Sequence, residues 1–346
     1  MDFWYCVPVE YKQQVAGITG LGAYVPERRM HNEELTRLMD TTDEWIYSHT
    51  GIRYRHIAAE DEAASDLAVH AARRALEQAE LVPDDIDLIL LATSTPDYLG
   101  LPSTACVVQD KLGIRETGAM DLVAACTGFI YGLETARTFI TAGAARHVLV
   151  IGSEVYSRII NWEDRRSAVL FGDGAGAAVV SAAGVGPDQP PPVSRVLPAI
   201  LGSRGSGAES LCRLYGGTRH KYVPGVTPEA STLLQMDGRK VYTFAVGVIV
   251  EVINTLLEQN GLTFDDVKYV VPHQANTRII TAAARRGEWD ENRFYLNMEE
   301  YANTSAASIP IALDEMQKKN LISRGDILLF VGFGAGLTYG GSIVYW

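Results

Sequence analysis

Leu76-Glu77-Gln78-Ala79-Glu80-Leu81-Val82-Pro83-Asp84-Asp85-Ile86-Asp87-Leu88-Ile89-Leu90 recurs, diverged, as Leu257-Glu258-Gln259-Asn260-Gly261-Leu262-Thr263-Phe264-Asp265-Asp266-Val267-Lys268-Tyr269-Val270-Val271. The offset is 181 residues, about half of the 346-residue chain. Leu, Glu, Gln, Leu, Asp and Asp return in register. Each copy reads as the end of a helix, an acidic turn and a buried strand. A second correspondence lies near the same offset. Cys126 opens a helix-like run through Phe129, Leu133 and Ala136, and Ser305-Ala306-Ala307-Ser308-Ile309-Pro310 opens another through Leu313 and Met316. Pro310 suits an early helical position, where its missing N–H costs little. The repeat predicts an α/β fold of two duplicated halves.

Working outward, residues 1–14 precede the repeat as an N-terminal extension. Residues 15–185 form a first half carrying Cys126, and residues 236–346 a second half carrying His273 and Asn303. Between them, residues 186–235 hold Pro187, Pro190, Pro191 and Pro192, the stretch Gly202 to Gly207, and Gly216-Gly217, and read as connecting loops or an insertion. Strand candidates such as Leu88–Ala92, Val148–Ile151 and Ile327–Val331 are continuously apolar, as in sheets covered by helices on both faces.

Composition narrows the function classes. The chain is 47% hydrophobic and 21% charged, ample for a large core. A net charge of −12 opposes a general nucleic-acid surface. The four cysteines, Cys6, Cys106, Cys126 and Cys212, form no C-x-x-C pair, so no metal site of that type is expected. Their low number fits a reducing compartment. Neither a signal peptide nor an apolar run of roughly 18 residues is apparent, so a cytoplasmic protein without a membrane span is expected.

The chemistry centres on Asp121-Leu122-Val123-Ala124-Ala125-Cys126-Thr127-Gly128-Phe129, where a strand-like run gives way to a helix-like one. A thiol there faces unpaired backbone N–H groups and the positive end of a helix dipole, and both favour the nucleophilic thiolate. The competing reading is a small buried hydrophobe. In the second half, Val270-Val271-Pro272-His273-Gln274-Ala275-Asn276 puts His273 at Ala92's register, at the end of a buried strand. Ligands collect outside such strand ends. Asn303 lies just before the second helix start, where an N-cap role competes with a chemical one. Gly172-Asp173-Gly174-Ala175-Gly176 is G-x-G-x-G followed by a strand-like run, which reads as close packing rather than as a dinucleotide loop.

From about Val15 to Trp346 the chain resembles the β-ketoacyl-ACP synthase III family, the initiating condensing enzymes of type II fatty acid synthesis, where ACP is the acyl carrier protein. The motifs are Thr42-Asp43-Glu44-Trp45-Ile46, Thr50-Gly51-Ile52-Arg53, Ala125-Cys126-Thr127-Gly128-Phe129, Phe171-Gly172-Asp173-Gly174-Ala175-Gly176-Ala177, His273-Gln274-Ala275-Asn276, Asn303-Thr304-Ser305-Ala306-Ala307-Ser308 and Gly332-Phe333-Gly334-Ala335-Gly336. The resemblance implies the thiolase fold, a five-layered αβαβα core, and a homodimer. It implies an acyltransferase whose triad is Cys126, His273 and Asn303. The oxyanion donors would be the backbone N–H groups of Cys126 and Ala335.

The implied reaction condenses an acyl-CoA with malonyl-ACP through an acyl-cysteine and releases CoA and carbon dioxide, with no cofactor and no metal. Trp45, Arg165 and Asn276 match CoA and pantetheine contacts. Arg278, Arg285 and Arg286 match the patch that meets the acidic carrier, and Leu101 matches an acyl-pocket position that reaches across the dimer. Leucine there, where acetyl-restricted relatives often have phenylalanine, implies tolerance of longer acyl groups. Two positions depart from the family pattern: His49 stands where many relatives have arginine, and Thr243 where some are basic. They leave open a condensing relative of specialised metabolism with another donor or acceptor. A degradative thiolase would need a second cysteine near the C-terminus, and none follows Cys212.

Overall fold

Two sheets with the same strand plan carry the molecule, a computed structural model describing residues 14–184 and 194–346. Cys6 and Pro187 to Pro192 lie outside the described residues, as does the extension up to residue 13. The first sheet holds β1 (Gln14–Tyr24), β2 (Leu88–Ala92), β3 (Gly118–Leu122), β4 (His147–Glu154) and β5 (Gly174–Gly184), in the spatial order β1-β5-β4-β2-β3. The second holds β6 (Ile200–Ser203), β7 (Tyr269–Pro272), β8 (Ile327–Gly334) and β9 (Thr338–Tyr345), in the order β7-β8-β9-β6. In each sheet the strand of the repeated segment runs parallel to the next central strand, β2 with β4 and β7 with β8. The counterpart of β3 has shrunk to one bridge, Val270 with Phe294.

Part of the stretch read as connecting loops belongs to the second sheet. Arg195–Val196 and Ile200–Ser203 both pair with β9. The edge of that sheet needs backbone partners, and these short segments supply them despite their glycines.

Helices fill the spaces by the period-2 logic of the strands. Leu88 and Leu90 face inward, where α3 (Gly128–Thr141) and α6 (Ser308–Lys318) pack between the sheets through Phe129, Leu133, Ile309 and Leu313. Ile89 and Leu91 face outward, beneath α2 (Ala64–Gln78) and the Thr104–Leu112 helix. On the far side, α4 (Gly238–Gln259) and α5 (Thr277–Gly287) cover Val270, Leu329 and Ile343. The central strands β2, β4, β7 and β8 are thus buried on both faces, which is why their runs are apolar throughout. Every fully buried aliphatic or aromatic side chain contributes about 1.5–3 kcal/mol. Helix α4 is long and apolar enough, by length and composition alone, to cross a membrane. Here Ala245, Val248, Val252 and Leu256 bury its apolar face against the sheet.

Candidate active site

The two internal helices start at the centre of the molecule. A 3-10 turn, Ala125–Thr127, leads into α3, and its counterpart, Ser305–Ala307, leads into α6. Both turns begin on a residue in the left-handed region, Ala125 at φ 47° and Ser305 at φ 50°. Such conformations cost about 1–3 kcal/mol and persist where packing enforces them. The packing is reciprocal. A Cβ on Gly334, at the end of β8, would sit 2.7 Å from the Cys126 nitrogen. A Cβ on Gly152, in β4, would sit 2.3 Å from the Ala306 carbonyl oxygen. Only glycine lets each sheet hold the other half's turn this closely.

His273 follows β7. Leu88 pairs with Val148 and Tyr269 with Leu328, so His273 falls at Ala92's register, as the repeat predicts. Asn303 is clamped through its backbone: its N–H donates to the Leu170 carbonyl at 2.9 Å, and its carbonyl accepts from the Gly172 N–H at 3.1 Å. The Phe171–Gly176 stretch is therefore packing, with Asp173 accepting from the Ala58 and Ser157 N–H groups. Cys126, His273 and Asn303 all line one cavity of about 290 Å³, with Phe333 and Gly334 beside them.

Burial sets the protonation states. It pushes the Cys126 thiol up to about 12, with the Ser305 side chain pulling it partly back. The sequence expectation of a thiolate favoured by the helix start therefore fails for the resting protein, because desolvation outweighs the helix end. Burial also lowers His273 to about 3, so the imidazole is neutral. Its Nδ1 lies 2.8 Å from Ser308 Oγ, which also accepts from the Gln274 N–H at 3.4 Å. With its oxygen accepting that bond, the Ser308 hydroxyl is placed to donate to Nδ1, which would put the ring proton on Nε2. Phe333 meets the ring edge-on, with centroids 5.4 Å apart. Asn303 Oδ1 accepts from the Ser305 N–H at 2.8 Å. The N-cap position itself is Thr304, so Asn303 holds the start of the turn from one residue before it, through its oxygen, and that bond does not use the amide N–H₂.

The outer cavity is lined by Trp45, on α1 (Asp43–Thr50), and by Arg165, Asn276 and Arg278. The Arg165 guanidinium lies 4.6 Å from the Trp45 ring centroid, and His49 stacks on the same indole at 4.3 Å. Asn276 caps α5 through the Arg278 N–H and donates to the His49 carbonyl at 3.1 Å. Arg285 and Arg286 are exposed on α5 away from the cavity lining, and Arg285 pairs with Glu291 at 2.9 Å. Thr243 lies on α4, its hydroxyl donating to the Arg239 carbonyl. Ala335 follows Gly334, and its carbonyl accepts from Thr338 Oγ1 at 3.0 Å. Leu101 is 89% exposed and does not line the cavity within one chain. Sequence reading assigned no roles to Ser305, Ser308, Phe333 and Glu154. Ser305, Ser308 and Phe333 stood inside quoted motifs, but nothing local showed which atoms they would meet.

Residues 120–203 match the 3-Oxoacyl-[acyl-carrier-protein (ACP)] synthase III family, and residues 257–346 match the family's C-terminal region. The chain is 47% identical over 331 residues to the β-ketoacyl-[acyl-carrier-protein] synthase III of Caldanaerobacter subterraneus, covering 96% of this chain and 98% of that protein. The corresponding protein of Clostridioides difficile is 46% identical, with the same coverage. Among solved structures, the 3-oxoacyl-[acyl-carrier-protein] synthase III of Aquifex aeolicus superposes with a TM-score of 0.86 at 41% identity, covering 96% of this chain and all of that one. The priming β-ketosynthase of the R1128 polyketide pathway superposes with a TM-score of 0.87 at 36% identity, covering 96% and 97%. The chain therefore belongs to the β-ketoacyl-ACP synthase III family, the thiolase-fold, acyl-transferring condensing enzymes of fatty acid synthesis.

Proposed function

We propose that this protein joins an acyl-CoA primer to malonyl-ACP by decarboxylative Claisen condensation, through an acyl group carried on Cys126. One observation carries the reading: the thiol shares a cavity with two neutral side chains whose orienting bonds leave N–H donors free, Nε2 of His273 and Nδ2 of Asn303. In the first half-reaction Cys126 attacks the thioester and CoA leaves. The backbone N–H groups of Cys126 and Ala335 face the oxyanion, and such donors are worth about 2.7–4 kcal/mol each. In the second, malonyl-ACP enters, and His273 and Asn303 donate to its thioester carbonyl. Carbon dioxide departs, the enolate is held by those two bonds, and its carbon attacks the acyl-cysteine to give 3-oxoacyl-ACP. Neutral donors suit this step, since a charged imidazolium would be costly in so buried a place.

CoA adenine stacks between Trp45 and Arg165. The present 4.6 Å separation must open to roughly 7 Å, two stacking distances. Arg165 therefore releases the Asp40 carbonyl, to which it donates at 2.9 Å. Asn276 meets the pantetheine, and Arg278, Arg285 and Arg286 steer the acidic carrier. The enzyme works without a cofactor or metal, as a cytoplasmic homodimer in which Leu101 reaches the partner's acyl pocket. Its halves span residues 15–185 and 236–346, the latter joined by the strands near residue 200.

Intact-protein mass spectrometry with acetyl-, butyryl- and hexanoyl-CoA tests the first step. The acyl mass should appear on the Cys126 peptide, and no adduct with any of them would overturn the reading. The polyketide priming relative and His49 favour one alternative, a specialised-metabolism enzyme with another acceptor. Products formed with malonyl-CoA and not with malonyl-ACP would establish it.

A further inference from the structure

A buried carboxyl stands behind the thiol with no role in the scheme above. Glu154 ends β4 at 0% exposure. Its carboxylate accepts from the Ser94 N–H at 3.0 Å and from Thr95 Oγ1 at 2.7 Å, with Thr93 Oγ1 at 3.4 Å. The Ser305–Ala307 turn wedges between β4 and the Cys126 turn. The Ser305 side chain stands close enough to the Glu154 carboxyl and to the Cys126 thiol to favour the charged form of each, and the Ala306 N–H does the same for the carboxyl. The Tyr156 hydroxyl donates to Ser305 Oγ at 3.4 Å, and its phenol and the thiol are the titratable groups facing Glu154.

The triad lacks a proton acceptor. Cys126 rests as a thiol, and attack on a thioester must release its proton. In the tautomer that donates to the thioester, Nε2 of His273 already bears a proton and Nδ1 is held by Ser308, and the Asn303 amide accepts none. We propose that Glu154, acting through the Ser305 hydroxyl, takes up the Cys126 proton as the acyl group arrives and returns it at the end of the cycle. In the first half-reaction the S–H bond breaks and a new S–acyl bond forms. Ser305 passes its own proton to the carboxylate while receiving that of the thiol, and the CoA thiolate leaves to be protonated by solvent. In the second half-reaction the enolate carbon bonds to the acyl carbon and Cys126 departs as thiolate. Glu154 then reprotonates it through Ser305. Glu154 thus acts through Ser305 without touching substrate. Burial raises its carboxyl to about 7, so it can hold or yield a proton near neutrality.

The inference rests on the role proposed above for Cys126, and alkylation tests it without any CoA. Iodoacetamide reacts with the thiolate, so its rate constant at Cys126 is followed from about pH 6 to about pH 9 in the wild type, Glu154→Gln and Ser305→Ala. Without a relay the rate climbs about tenfold per pH unit across the range. With one, the wild type climbs to about pH 7 and then levels off, because the shared proton no longer depends on solvent. Both variants should climb throughout, and Ser305→Ala decides alone if Glu154→Gln does not fold. A single slope shared by all three proteins would overturn the relay. A parallel acetyl-CoA arm separates the two ideas: a levelling wild-type profile with no acyl adduct would keep the relay and discard the proposed reaction.

Discussion

Ser308→Ala isolates the tautomer of His273. Ser308 Oγ lies 2.8 Å from Nδ1, and Ser308 and His273 are only 2% and 1% exposed. In the wild type the wrong tautomer, with its proton on Nδ1, would leave the Ser308 oxygen receiving two donors and its own proton without a partner. The preference for Nε2–H is therefore worth one buried neutral hydrogen bond, about 0.5–1.5 kcal/mol. Losing it should slow decarboxylation of malonyl-ACP by roughly 2- to 13-fold, a range that follows from RT at room temperature. Acylation of Cys126 has no need of that donor and should change by less than about twofold. The two rates are measured separately, acylation by intact-protein mass spectrometry and decarboxylation by carbon dioxide release. Equal losses in both steps, or an unchanged decarboxylation rate in a folded variant, would refute the tautomer argument.

Glu154→Gln should alter the pH dependence of stability. The folded carboxyl holds its proton to about 7, against an ordinary value of 4.5. The native state thus binds more protons within that window, and wild-type stability falls as pH rises through it, by roughly 3 kcal/mol in all. Thermal midpoints of the variant should gain on the wild type from pH 4.5 to about 7 and hold steady above, whereas parallel curves would contradict the shift. His273 acts in the opposite sense below its ordinary 6.5, but it is common to both proteins. Gly152→Ala places a Cβ 2.3 Å from the Ala306 oxygen and should cost about 1–3 kcal/mol in denaturant unfolding. An unchanged midpoint would show that the Ser305–Ala307 turn yields freely. Arg165→Ala should raise the KM for acyl-CoA several-fold with little change for malonyl-ACP; equal effects would argue against an adenine stack. Leu99 and Leu101 are 77% and 89% exposed in one chain. If they meet a partner subunit, changing both to aspartate should yield monomers by light scattering.

Much of the fold was legible because duplication leaves a linear record. The recurrence of Leu76–Leu90 at Leu257–Val271 implied two sheets, and its register placed His273 opposite Ala92. Continuous apolar runs announced strands buried on both faces, since alternate residues serve different helix layers. Cys126 was suspect for its position at a strand-to-helix turn. The edge strands near residue 200 were hidden, because segments of two and four residues carry too little periodicity. The ionisation of Cys126 was hidden too. A helix start can be read along the chain, but the desolvation that outweighs it arises only once the folded protein buries the thiol. The same holds for Ser308 beneath His273, 35 residues away, and for Ser305 between Glu154 and the thiol. Local spacing and periodicity set which elements form, because they are properties of neighbours along the chain. Protonation, tautomer and the path of a proton depend on what distant segments bring within hydrogen-bond reach, and that is settled by packing.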